Sequence, residues 1–225
     1  MKHKPFRERR RRNPRPQKEC LLIVCEGTTE WNYFEAVRRS ERVRFRFAVT
    51  LVEAGGGSRE KIADQAIKAN ENSPGRFDRA CVVMDVEESS HRNRLKVACD
   101  KLASAGIEVY LSHLSFEVWF LSHLEPCSKP FVDVNSVAKH LDKRWKKRFE
   151  EAYDHTAMNH FDRLQTDLGE AMKNARTART RDHMNKPMCD ANSSTEVYLL
   201  MANLGFGETS TKTDERPVWK SPSKR

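Results

Sequence analysis

Apolar residues along this chain fall into short runs, and two of them stop at a carboxylate. Residues 21–25 (LLIVC) end at Glu26, and residues 80–84 (ACVVM) end at Asp85. Runs of this length, bounded by turn signals, predict strands buried on both faces. Residues 44–52 (RFRFAVTLV) alternate and are rich in β-branched and aromatic side chains, which predicts a half-buried strand. Residues 107–112 (IEVYLS) predict a fourth strand. Helical patterns separate them. One helix starts near Glu30, with Thr28 or Thr29 as cap, and turns Trp31, Phe34 and Val37 inward. A second is capped by Ser58 and buries Ile62, Ala63, Ala66 and Ile67. A third runs from about Arg92 to Ala105 and stops at Gly106. This β-α-β-α-β-α-β order predicts an α/β fold with a parallel four-stranded sheet flanked by helices. Residues 115–124 (SFEVWFLSHL) then predict a mostly buried helix carrying Glu117. Beyond Pro126 and Pro130 the pattern is helical over about 135–152, 157–180 and 193–204. The predicted organisation is a basic arm at 1–18, an α/β core at 19–125, a helical extension at 126–207 and a polar tail at 208–225.

The chain of 225 residues is long enough for one domain with a real core. The net charge of +9 is not spread evenly. Residues 1–18 hold nine Lys/Arg and one Asp/Glu, and residues 208–225 hold five and three, so residues 19–207 carry a net of −1. The arm has three prolines and no apolar period, and reads as disordered. Its cations, Arg9, Arg10, Arg11 and Arg12 among them, suit nucleic-acid phosphates, though a solvated arm accounts for them too. No apolar stretch approaches the roughly 20 residues of a membrane helix. The run behind the arginines is too short for a secretory core, so a cytoplasmic protein without membrane contact is expected. The six cysteines form no CxxC pair and read as reduced, mostly buried thiols.

The candidate chemistry is carboxylate chemistry. In open α/β sheets ligands sit outside the carboxyl ends of the strands, which is where Glu26 and Asp85 fall. Asp85 and Glu87 alternate onto one side of an extended backbone, and two such carboxylates can chelate one Mg²⁺. Three or four gathered carboxylates repel one another unless a cation or a proton is shared. Glu30 also reads as an ordinary acid at a helix N-terminus. Glu117 fits either a site residue or a satisfied buried acid. Gly55, Gly56 and Gly57 read as a long turn, with Lys61 the nearby cation for a phosphate. Asn192, Ser193, Ser194 and Thr195 read as a helix cap.

The phrases LLIVCEGTTEWNYFEAV, VVMDVEE, SHLSFEVWFLSHLE and NSSTEVYLLM, in that order across residues 19–205, resemble the RloB family. That resemblance implies a TOPRIM-like fold, in which a glutamate after the first strand is paired with a D-x-D after a later one. Glu26 takes the first place, and Asp85 and Glu87 the others, with Glu87 where the second aspartate is usual. It implies Mg²⁺ or Mn²⁺ as cofactor, held by Glu26, Asp85 and Glu87. Glu117 matches an FELW-like segment, and residues 192–195 match an NPST-like element with serine for proline. The implied activity is metal-dependent nuclease action on DNA or RNA in prokaryotic anti-phage defence, with an ABC- or AAA-type ATPase as possible partner. Arg176 and Arg179 on the helical extension are candidates to steady a phosphate. A non-catalytic module that binds nucleic acid or a partner is the alternative.

Overall fold

A computed structural model describes residues 18–72, 75, 77–86, 92–127, 129–183 and 188–207. The arginines at 9–12 and residues 208–225 lie outside the described residues, as does Glu87. Strand β1 (Glu19–Cys25) leads to α1 (Thr28–Arg39) and the short α2 (Glu41–Arg44). Then come β2 (Phe47–Glu53) and α3 (Arg59–Glu71), β3 (Arg79–Asp85) and α4 (Arg92–Ser104), and β4 (Glu108–Ser112). The remaining helices are α5 (Glu117–Leu124), α6 (Val134–Phe149), α7 (His160–Leu164), α8 (Leu168–His183) and α9 (Val197–Asn203).

The sheet is all parallel, in the order β2-β1-β3-β4. The chain moves from β1 outward to β2, then crosses back to β3 on the other side of β1. The strand order therefore reverses between β1 and β3, and their carboxyl ends flank a topological switch point. Both central strands bury five consecutive residues. Alternation sends Leu21, Ile23, Cys25, Cys81 and Val83 to one face, against α1 and the helices from α5 onward. Leu22, Val24, Val82 and Met84 go to the other face, against α3 and α4. The first face carries an aromatic cluster in which Tyr33 meets Phe34, Phe116, Trp119, Phe120 and Phe161. It joins α1, α5 and α7, so the helical extension shares one core with the sheet. Among the described residues no helix is long and apolar enough to cross a membrane.

Two elements differ from expectation. The second strand starts at Phe47, because residues 41–44 form α2. That turn buries Val43, pairs Arg44 with Glu41 at 2.8 Å and leaves Phe45 65% exposed, so the alternation at 44–46 does not lie on a sheet. The helix expected at 157–180 is two helices, α7 and α8, joined by a 3₁₀ turn at Gln165–Asp167. Leu164 and Leu168 are both buried, so the apolar period runs on through the break.

Candidate functional site: carboxylates at the switch point

Glu26 follows β1 directly and lies at the switch point. Its Oε2 accepts the Asp85 backbone N–H at 2.8 Å, which ties the ends of β1 and β3 together. Its Oε1 accepts from Arg59 Nη1, also at 2.8 Å. The loop after β2 brings Arg59 here. Gly55, Gly56 and Gly57 all have positive φ, and the Gly56 N–H donates to the Glu26 carbonyl at 2.8 Å. Ser58 then caps α3 by accepting the Lys61 N–H, and Arg59, the first helical residue, is buried.

Glu30 lies in the first turn of α1, which is capped at Gly27 rather than at a threonine. Its Oε2 accepts the Gly27 N–H at 3.2 Å, and the residue is only 4% exposed. Burial is the main cause that pushes its carboxyl up to about 7, with Glu26 and Glu117 adding to the rise. Asp85 is pushed well above the usual carboxylate range, first by burial and then by Glu30, Glu26 and Glu117, while Arg59 pulls it back. Its Oδ1 is sealed from solvent and has no hydrogen-bond partner among the described residues. Glu117 opens α5, and its Oε1 accepts the Tyr153 hydroxyl at 3.3 Å. Burial and the neighbouring Glu117 both push that phenol up. Tyr153 belongs to the loop after α6, which is fixed to α1 by Thr29 on the His155 carbonyl and Asn32 on the Thr156 carbonyl.

The structure thus brings Glu26, Asp85 and Glu117 into one electrostatically coupled group and adds Glu30 and Arg59. In the sequence Glu30 reads only as a helix-terminal acid, and no periodicity marks Arg59. A cation at the first position of a helix opposes the helix dipole, and that misfit was the available signal that an anion lies close by. Arg179 is buried on α8 with Nε 4.0 Å from Glu196, and Arg176 is half-buried on the same helix. The N-cap position of α9 is Glu196, and the Thr195 hydroxyl just before it accepts the N–H of Val197, the first residue of that helix, at 3.2 Å. Thr195 bridges to Ser112, hydroxyl to hydroxyl at 2.8 Å, and the His113 N–H donates to the Ser194 carbonyl. Because Ser112 is the β4 partner of Asp85, this segment closes the sheet's carboxyl edge beside the acids. Asn192 holds the backbone of Phe131 by two hydrogen bonds.

Oxygen donors of this kind suit a hard divalent cation, and Asp85 Oδ1 is an oxygen still to be matched. In the arrangement described, Glu26 is engaged at both oxygens, and among the described residues no three His, Cys, Asp or Glu side chains are set to hold a metal ion. A surface recess of about 540 Å³, lined by Arg39, Arg42, Phe161 and Phe206 among others, shares no residue with the cluster. No curated protein and no solved structure matches the chain. Over residues 21–204 it matches the family described as RloB-like protein, and it belongs to that family.

Proposed function

We propose that the chain is a TOPRIM-type nuclease that hydrolyses phosphodiester bonds of DNA or RNA with Mg²⁺ or Mn²⁺ at the carboxylate cluster. The observation that carries this reading is Asp85 Oδ1, a buried oxygen with no hydrogen-bond partner among the described residues, set among three other acids at the switch point. In this reading Asp85, Glu87 and Glu26 hold the ion, which when bound polarises the phosphate and offsets developing charge. Glu26 serves as a ligand or as general acid/base. Glu30, titrating at about 7, is suited to give or take a proton at its carboxyl near neutral pH. Glu117 is held beside them by Tyr153. The basic residues at 1–18 and Arg176 supply attraction for the nucleic-acid backbone. Membership of the RloB-like family supports a role in prokaryotic anti-phage defence, under control of an ABC- or AAA-type ATPase encoded nearby.

The engagement of both Glu26 oxygens favours a second reading, a non-catalytic module that binds nucleic acid or a partner. One experiment separates the two. RNA and DNA panels are incubated with the protein and Mg²⁺ or Mn²⁺, beside an Asp85→Ala control. Metal-dependent cleavage that the control lacks is expected. Binding by both proteins with cleavage by neither would leave the module.

A further inference from the structure

Arg59 is 5% exposed and occupies the first position of α3, where the helix dipole disfavours a cation. A guanidinium buried there is tolerated only with an anion at hand. The anion is Glu26, at 2.8 Å, and its other oxygen is held by the Asp85 N–H at the same distance. Three chain segments, the ends of β1 and β3 and the start of α3, are thus joined through one carboxylate. Four acids in one group need positive charge or a held proton, and Arg59 is a neighbour that opposes the repulsion felt by Asp85. We propose that Arg59 is the resident counter-charge of the cluster: it holds Glu26 against Asp85 when no divalent cation is bound, and it competes with such a cation for Glu26. The competition rests on the metal reading above; the counter-charge does not.

The test is Mn²⁺ titration by calorimetry together with thermal melting of the full chain, and it needs no cleavage assay. Arg59→Gln is expected to bind Mn²⁺ about tenfold more tightly than the wild type. Its melting temperature should rise more with Mn²⁺ and be lower in chelator. Equal or weaker Mn²⁺ binding by Arg59→Gln overturns the competition. Asp85→Asn should remove Mn²⁺ binding from either background, which places the ion in this cluster. If neither protein binds Mn²⁺, the competition and the metal reading fall together. The counter-charge is then decided by a double-mutant cycle in chelator. Glu26→Gln on top of Arg59→Gln should cost far less than the two single changes summed, and an additive result overturns it. Arg59→Lys, which keeps the charge but loses the planar fork that holds Glu26, covers the case in which Arg59→Gln does not fold; it should bind Mn²⁺ more tightly than the wild type, and equal or weaker binding overturns the competition. Tight Mn²⁺ binding by Arg59→Gln without cleavage by any variant would sustain the inference and sink the nuclease.

Discussion

At Glu30 a local and a non-local demand meet in one side chain. Locally, its Oε2 closes the first turn of α1 by accepting the Gly27 N–H, a bond that favours the ionised carboxyl but that a neutral acid or amide oxygen can also accept. Non-locally, the carboxyl is buried beside Glu26 and Glu117 and holds its proton up to about pH 7. Between its ordinary value of 4.5 and about 7 the folded chain binds more protons at this group than the unfolded chain does. The contribution to stability is therefore complete below about pH 4.5 and is lost as pH rises through about 7. At about 1.4 kcal/mol per pK unit the loss is on the order of 3 kcal/mol. Glu30→Gln should keep the cap, flatten the decline in urea-unfolding stability across that window and make the protein more stable at pH 8. A variant with the wild-type pH slope would remove Glu30 from the coupled group. Glu26 and Asp85 were legible in the sequence because each ends an apolar run. Glu30 was not, because a first-turn acid looks the same whether or not other acids face it. Arg59 was hidden because the turn that delivers it spans three glycines, whose φ values no periodicity records.

Elements whose apolar period matched their secondary structure were readable, and elements fixed by distant contacts were not. Strands β1, β3 and β4 and helix α3 appear close to their expected positions. Period alone did not separate α7 from α8, since Leu164 and Leu168 keep the same spacing through the 3₁₀ turn. Nor did it place Thr195, whose partner Ser112 is distant in sequence. The loop between α6 and α7 carries the same lesson. It is composed mainly of polar residues, yet its contacts fix it over the carboxylates. Asp142 accepts the Tyr153 N–H at 3.0 Å, Asn32 donates to the Thr156 carbonyl at 2.8 Å, and the Tyr153 hydroxyl donates to Glu117. The Tyr153 ring also packs on Phe120, Trp145 and His160. Tyr153→Phe keeps that packing and removes only the donor to Glu117. A typical intramolecular hydrogen bond contributes about 0.5–1.5 kcal/mol, and this one, at 3.3 Å, is longer than the usual O–H···O. The variant should accordingly show a lower urea midpoint at unchanged slope, and faster amide exchange at residues 153–157 than in the wild type. Unaltered exchange there would mean that the backbone contacts of Thr29 and Asn32 hold the loop without the phenol.

Over the whole molecule, charge and fold are divided between different stretches of sequence. Residues 19–207, which include every strand and helix described, carry a net charge of −1, while residues 1–18 carry nine cations against one acid. The candidate site is itself a concentration of acids at the switch point, and such a site repels a phosphate backbone until positive charge is supplied. If the chain binds nucleic acid as proposed, the attraction comes from outside the acid cluster, and the largest source in the sequence is the arm. Each phosphate neutralised by a lysine or arginine releases condensed counterions. The slope of log K against log salt changes by about 0.9 per contact on duplex DNA and about 0.7 on single strands. Deleting residues 1–18 should therefore weaken binding most at low salt and flatten that slope, with affinities of the two forms converging as salt rises. The comparison is best made with Asp85→Ala in both forms, so that cleavage does not deplete the probe. A slope that the deletion leaves unchanged would assign the electrostatic contacts to cations within residues 19–207, and Arg176 on α8 would be the first of those to substitute.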